Sequence, residues 1–148
     1  MKNLIFYFQV ISLIMIVSCV PPQDKKELEK NGIKIEFTTT QAGKINNNEI
    51  EIIGDMNAAG VFIFIPEYNS IVIRHESGQD ELLKVNKVDV NFNNDYTFSC
   101  SKSRVLFVNQ TKKIITYTVK GNSAIFVFPI NEDNLAALRN VLLKFKKL

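Results

Sequence analysis

Tryptophan is absent from this 148-residue chain, histidine occurs once and cysteine twice. Each shortage closes a class of chemistry. With His75 as the lone imidazole, no zinc site of clustered His and Cys can form, and nucleophilic catalysis has little from which to build a base. His75 stands in Arg74-His75-Glu76 at a strand end, the setting of a surface or hydrogen-bonded side chain. No loop of alternating Asp and Asn ending in glutamate offers a calcium site. No phosphate-cradling glycine loop follows a strand. The net charge of +3 is too small to mark nucleic acid as a partner. Glu49, Glu51, Glu67, Glu76 and Asp80 supply carboxylates for a glycosidase-like pair, but the spacing selects no two of them. The expectation is a protein that is not an enzyme and holds neither metal nor cofactor.

What the chain does have begins at its start. The amino terminus and Lys2 lead into an apolar run from Leu4 to Val17, broken only by Gln9 and Ser12, which ends at Ile16-Val17-Ser18-Cys19. A basic start, an apolar middle and small residues at a cleavage point make a signal peptide. The run is shorter than the roughly 20 residues of a spanning helix, and Pro21-Pro22 follow where a stop-transfer segment wants basic residues. The ending resembles the lipobox of bacterial lipoproteins, with an aliphatic residue three before the cysteine and a small one just before it. The resemblance implies cleavage before Cys19, acylation of its sulfur and attachment to a membrane through acyl chains. More than one chain makes such an anchor stable, at about 0.8 kcal/mol per buried methylene. By the family's sorting rule Val20, which is not aspartate, favours the outer membrane over the inner. An ordinary secretory signal and an uncleaved amino-terminal anchor are the other readings. The resemblance covers the export segment alone.

Three regions follow: a signal peptide at 1–18, a lipidated cysteine and tether at 19–31, and one domain at 32–148. The mature chain of about 130 residues suits a single core. Val20 to Asn31 is proline-led and mixed in charge, a spacer that extends at most about 40 Å. Its Asp24, Glu27 and Glu29 also resemble, diluted by lysines, the acidic surface-export stretch of some lipoproteins of Bacteroidetes type. If Cys19 carries lipid, Cys100 is left alone; if cleavage lies elsewhere, a Cys19–Cys100 bridge is open in an oxidising compartment. Cys100 alternates with Tyr96 and Phe98 and reads as a buried structural thiol.

The domain is patterned for β structure. Ile33, Ile35 and Phe37 alternate with polar residues, as do Ile50 and Ile52 with Glu49 and Glu51. Between these runs, residues 41–48 read as a polar, asparagine-rich loop. Val61 to Ile65 is continuously apolar, the mark of a strand covered on both faces. Further candidates start at Ile71, at Leu83, at Val88 with Val90 and Phe92, at Tyr96, at Val105, at Ile115 and at Ala124. A tight hairpin is predicted at Lys120-Gly121-Asn122-Ser123. Eight or nine strands at roughly ten-residue spacing, with short polar turns and no internal repeat, predict an antiparallel meander forming a barrel or sandwich.

The period then changes to that of a helix over 132–146. Asn131 is placed as N-cap, Glu132 and Asp133 favour the positive end of the dipole, and Ile130 is set to staple onto Leu135. Leu135, Leu138, Leu142 and Phe145 form an apolar stripe that packs on the sheet. Together these features predict an envelope lipoprotein that acts by protein–protein contact with an envelope partner. The second reading is a carrier of a small apolar ligand, since 11 phenylalanines can line a cavity as well as fill a core. Bacterial lipocalins are lipid-anchored barrels with a late helix, but their early Gly-x-Trp motif is impossible in a chain without tryptophan. The order of strands then helix also resembles a pleckstrin-homology-type barrel, in element order alone.

Overall fold

The computed structural model describes residues 30, 32–47, 49–76, 78 and 80–145. The expected signal peptide at 1–18, and all of the lipidated cysteine and tether at 19–31 except Lys30, lie outside them. The described chain forms strands β1 (Ile33–Phe37), β2 (Gln41–Asn46), β3 (Glu49–Asp55), β4 (Gly60–Ile65), β5 (Ser70–His75), β6 (Asp80–Val90), β7 (Tyr96–Cys100), β8 (Arg104–Asn109), β9 (Ile114–Val119) and β10 (Ala124–Pro129), followed by helix α1 (Glu132–Phe145). All ten strands join one antiparallel sheet in the order β1-β4-β5-β6-β7-β8-β9-β10-β2-β3. The domain is mainly β, a meander from β4 to β10 with α1 packed against it.

Connection lengths curl this sheet. The β2–β3 hairpin lies between β1 and β4 in sequence, yet β2 pairs with β10 at the far end of the strand order. Only residues 38–40 lead from β1 to β2, and 56–59 lead back from β3 to β4. Four and five steps of chain span at most about 14 and 18 Å, so the two ends of the sheet must come close and the sheet bends into a half-barrel. The two links are tied together at Thr40, which is buried: its Oγ1 donates to the Ala58 carbonyl at 2.7 Å, and the Met56 amide donates to the Thr40 carbonyl at 2.8 Å. Close strand contact also needs Gly60. A Cβ there would lie 2.2 Å from the Arg74 carbonyl oxygen and 2.6 Å from the Phe37 ring.

Alternation sorts side chains to the two faces of the sheet. Ile35, Phe37, Phe62, Phe64, Ile71, Ile73, Leu83, Phe98, Leu106, Val108, Ile115, Phe126 and Phe128 face inward, in one cluster with the apolar stripe of α1. Phe37 meets Phe128 at 4.7 Å between ring centres, and Phe62 meets Phe128 at 4.8 Å. Rings from β1, β4 and β10 thus touch across the curl. The helix completes the interior: Leu135, Leu138, Val141, Leu142 and Phe145 are buried, and Phe145 packs edge-on to Phe98 at 5.3 Å. Its start is built as the sequence predicts. Asn131 Oδ1 accepts from the Asn134 amide at 2.8 Å, and Ile130 and Leu135 are both buried in the same cluster.

Three expectations are corrected. Residues 41–46, read as loop, form β2. Ala42 faces Phe126 in register, and the polar remainder is tolerated because β2 lies one strand from the sheet edge, where Lys44 bonds Glu51 at 3.1 Å. The candidates at Leu83 and Val88 are one long strand, β6. A bulge between Val85 and Lys87 inserts a residue, which switches the inward set from Leu83 and Val85 to Val88 and Val90. Phe92 lies beyond β6 and is 93% exposed. The predicted hairpin after Val119 does form, with Gly121 at φ +84° and the Asn122 amide donating to the Val119 carbonyl at 2.9 Å.

Candidate functional site

Two features stand apart from the apolar frame: a polar cluster on the inner face and an open sheet edge. The cluster centres on Glu81. Strand alternation turns Glu81 inward with Leu83, while neighbouring Asp80 turns outward to Arg74. Arg104, at the start of β8, reaches the same place and is 1% exposed. Its Nε donates to Glu81 Oε1 at 3.1 Å, and Tyr117 Oη on β9 donates to Glu81 Oε2 at 2.5 Å. The Arg104 guanidinium also lies over the Tyr117 ring, 5.5 Å from its centre. Both carboxylate oxygens are therefore engaged, one by a cation and one by a phenol.

The electrostatics follow from burial beside that carboxylate. Tyr117 is held protonated, its pKa raised by burial and then by Glu81, so it acts as a donor throughout the physiological range. Burial, with Glu81 adding to it, pushes the Cys100 thiol up to about 12. A thiol held in that form is a poor nucleophile; Cys100 is free, buried and packed with the core, as its strand position predicts. His75, at the end of β5, packs against Phe37 at 6.0 Å between rings. Burial lowers its pKa, while Glu81 and Asp80 oppose that shift. The arrangement is a lock joining β6, β8 and β9: every oxygen of Glu81 is committed to a neighbour.

The other carboxylates singled out in the sequence are not assembled into a pair. Glu67 and Glu76 are exposed, and Glu49 and Glu51 stand exposed on β3, with Glu51 bonded to Lys44. Asp80 is buried in a two-pronged pair with Arg74, at 3.0 and 2.9 Å. Among the described residues, no group of three or more His, Cys, Asp or Glu is placed to hold a metal ion, and no helix is long and apolar enough to cross a membrane. The cluster went unnoticed in the sequence because Arg104 and Tyr117 are 23 and 36 residues from Glu81 along the chain. The available signal was a charged residue at an inward-facing strand position.

The second feature is β3. Among the described residues it is the last strand of the sheet and pairs only with β2. The opposite edge, β1, is covered: α1 packs along it, and Asn134 Nδ2 donates to the Glu36 carbonyl at 2.8 Å. On the β2–β3 hairpin Ile45, Ile52 and Ile53 are 45%, 44% and 40% exposed, and Met56 just after β3 is 36% exposed. A bulge between Ala42 and Gly43 leaves Ile53 without a register partner. Glu49, Glu51 and Asp55 place charge along the same strand, a pattern that discourages indiscriminate edge pairing. An open edge with apolar side chains and flanking charge is a surface for extended peptide.

No protein-family model matches this chain, and no curated protein or solved structure matches it either. The class that the fold itself defines is an antiparallel half-barrel closed by a carboxyl-terminal helix.

Proposed function

We propose that this is a lipid-anchored accessory protein of the bacterial envelope, non-enzymatic, that binds a protein partner by accepting a strand at the edge of β3. The observation that carries the reading is that open edge, with Ile45, Ile52, Ile53 and Met56 exposed beside it. Main-chain groups along β3 supply sequence-independent affinity, and the isoleucines supply selectivity. The lipobox-like Ile16-Val17-Ser18-Cys19 supplies the anchor, through acyl chains on Cys19, with the outer membrane favoured by Val20. The phenylalanine-packed interior weighs for a surface over a cavity as the binding element.

The test is gentle purification of the lipidated full chain from its own envelope, followed by native mass spectrometry. A co-purifying protein that is lost from an Ile52→Lys, Ile53→Lys chain of unchanged melting temperature is the expected result. A bound small molecule of fixed mass, with no protein, would overturn the reading in favour of an apolar-ligand carrier. Cys19→Ala is expected to move the protein from the membrane to the soluble envelope fraction; retention in the membrane would refute the anchor.

A further inference from the structure

The sheet carries a second apolar cluster on its outer face. Ile63 and Ile65 of β4 are 0% exposed and Val72 of β5 is 1% exposed, with Val61 and Leu82 packed beside them. These side chains point away from the core, because their neighbours Phe62, Phe64, Ile71, Ile73 and Leu83 occupy the inner face. A side chain on the outside of a sheet loses its last accessible surface only under a second layer. The helix does not provide it, since α1 packs on the inner side through Phe145 against Phe64 and Phe98. Among the described residues, the only apolar side chains packed against this cluster are those of Val61 on β4 and Leu82 on β6, in the same sheet.

The chain itself arrives at this spot. Gly32 immediately precedes β1 and lies directly on the cluster: a Cβ there would be 2.4 Å from Ile63 Cγ2 and 3.2 Å from Ile65 Cγ1. Lys30 has helical backbone, so the chain has left the extended course of β1 just ahead of Gly32. We propose that residues 20–31 fold back over the outer face of β4–β6 and cover Ile63, Ile65 and Val72, with Leu28 as the side chain that seats on them. Leu28 is the only apolar residue between Gln23 and Asn31. Four chain steps lead from it to Gly32, a reach of up to about 14 Å, while β4 to β6 spans about 10 Å at the usual strand spacing. The rim suits the charged remainder of the segment. Lys34 stands beside Ile63 in register, and the Arg74–Asp80 pair lies on the same face beyond Val72 and Leu82.

The segment is then a docked strap instead of a free spacer. Docking stands whether or not Cys19 is acylated. Its consequence rests on the anchoring reading: nine residues from Cys19 to Leu28 hold this face within about 30 Å of the bilayer.

The test uses the full chain in its envelope. Leu28→Cys combined with Leu82→Cys is expected to form an intramolecular disulfide under mild oxidation, mapped by mass spectrometry. Leu28→Cys with Thr118→Cys, on the outer face of β9, is expected to form at least tenfold less. Trypsin cleavage after Lys25 and Lys26 is expected to be at least tenfold faster in a Leu28→Asp chain, a change outside the folded core. Equal cross-linking of the two pairs, or cleavage unchanged by Leu28→Asp, would overturn the proposal. A disulfide between two copies would also overturn it, assigning the face to a dimer. Repeating the first pair in the Cys19→Ala chain separates loss of docking from loss of the anchor.

Discussion

At the residue scale, the Glu81–Arg104–Tyr117 lock carries the largest stake. Arg104 is buried with its charge compensated by Glu81, and removing one partner of a buried pair leaves the other uncompensated, at about 3–5 kcal/mol. Glu81→Met is therefore expected to lower the unfolding free energy by roughly that amount in urea titration. Glu81→Met with Arg104→Met is expected to cost less than the two single changes added together. Strict additivity would mean that the pair does not interact. His75 gives a pH signature. Its pKa is lowered on folding by burial, so below the usual value of 6.5 the unfolded chain binds more protons than the folded one. The stability it contributes is present above pH 6.5 and is lost as pH falls through its folded value. His75→Gln is expected to flatten the urea midpoint between pH 7 and 5; an unchanged slope would assign the acid sensitivity to other groups.

At the scale of elements, α1 is integral to the core and not a free arm, because five of its side chains are buried in the same cluster as the strands. Leu138→Ala is expected to cost about 2–5 kcal/mol by leaving a cavity. Asn131→Ala removes the cap on the Asn134 amide and is expected to cost about 1 kcal/mol. Thermal unfolding checks both, and near-equal effects would mean that the helix is only loosely seated. This helix was legible in the sequence down to its cap and stripe, since caps and i, i+3, i+4 periodicity are local. The strand from Gln41 was not legible. Its polar residues become a strand only because β10 and β3 flank it, and those partners come from more than 80 residues later and from the hairpin return. The long β6 was read as two pieces because its bulge resets the alternation that periodicity relies on.

At the scale of the whole molecule, surface and anchor define the proposed role. Among the described residues, the fold leaves one strand edge open, covers the other with α1 and fills the inside of the curl with phenylalanine rings. In the proposed role, binding falls to the rim of β3, and the outer face against which Gly32 lies takes the strap. The sequence by itself determined the local terms: alternating and unbroken apolar runs, the turn at Gly121, the capped helix and the buried thiol of Cys100. Each depends on neighbours within a few residues, so each can be read from a short window. Only the tertiary structure decided that β2 and β3 cross to the far end of the sheet, that Glu81, Arg104 and Tyr117 meet, and that β3 is the edge left open. Those outcomes depend on which distant strands pair and how short links bend the sheet, and no window of adjacent residues contains that information.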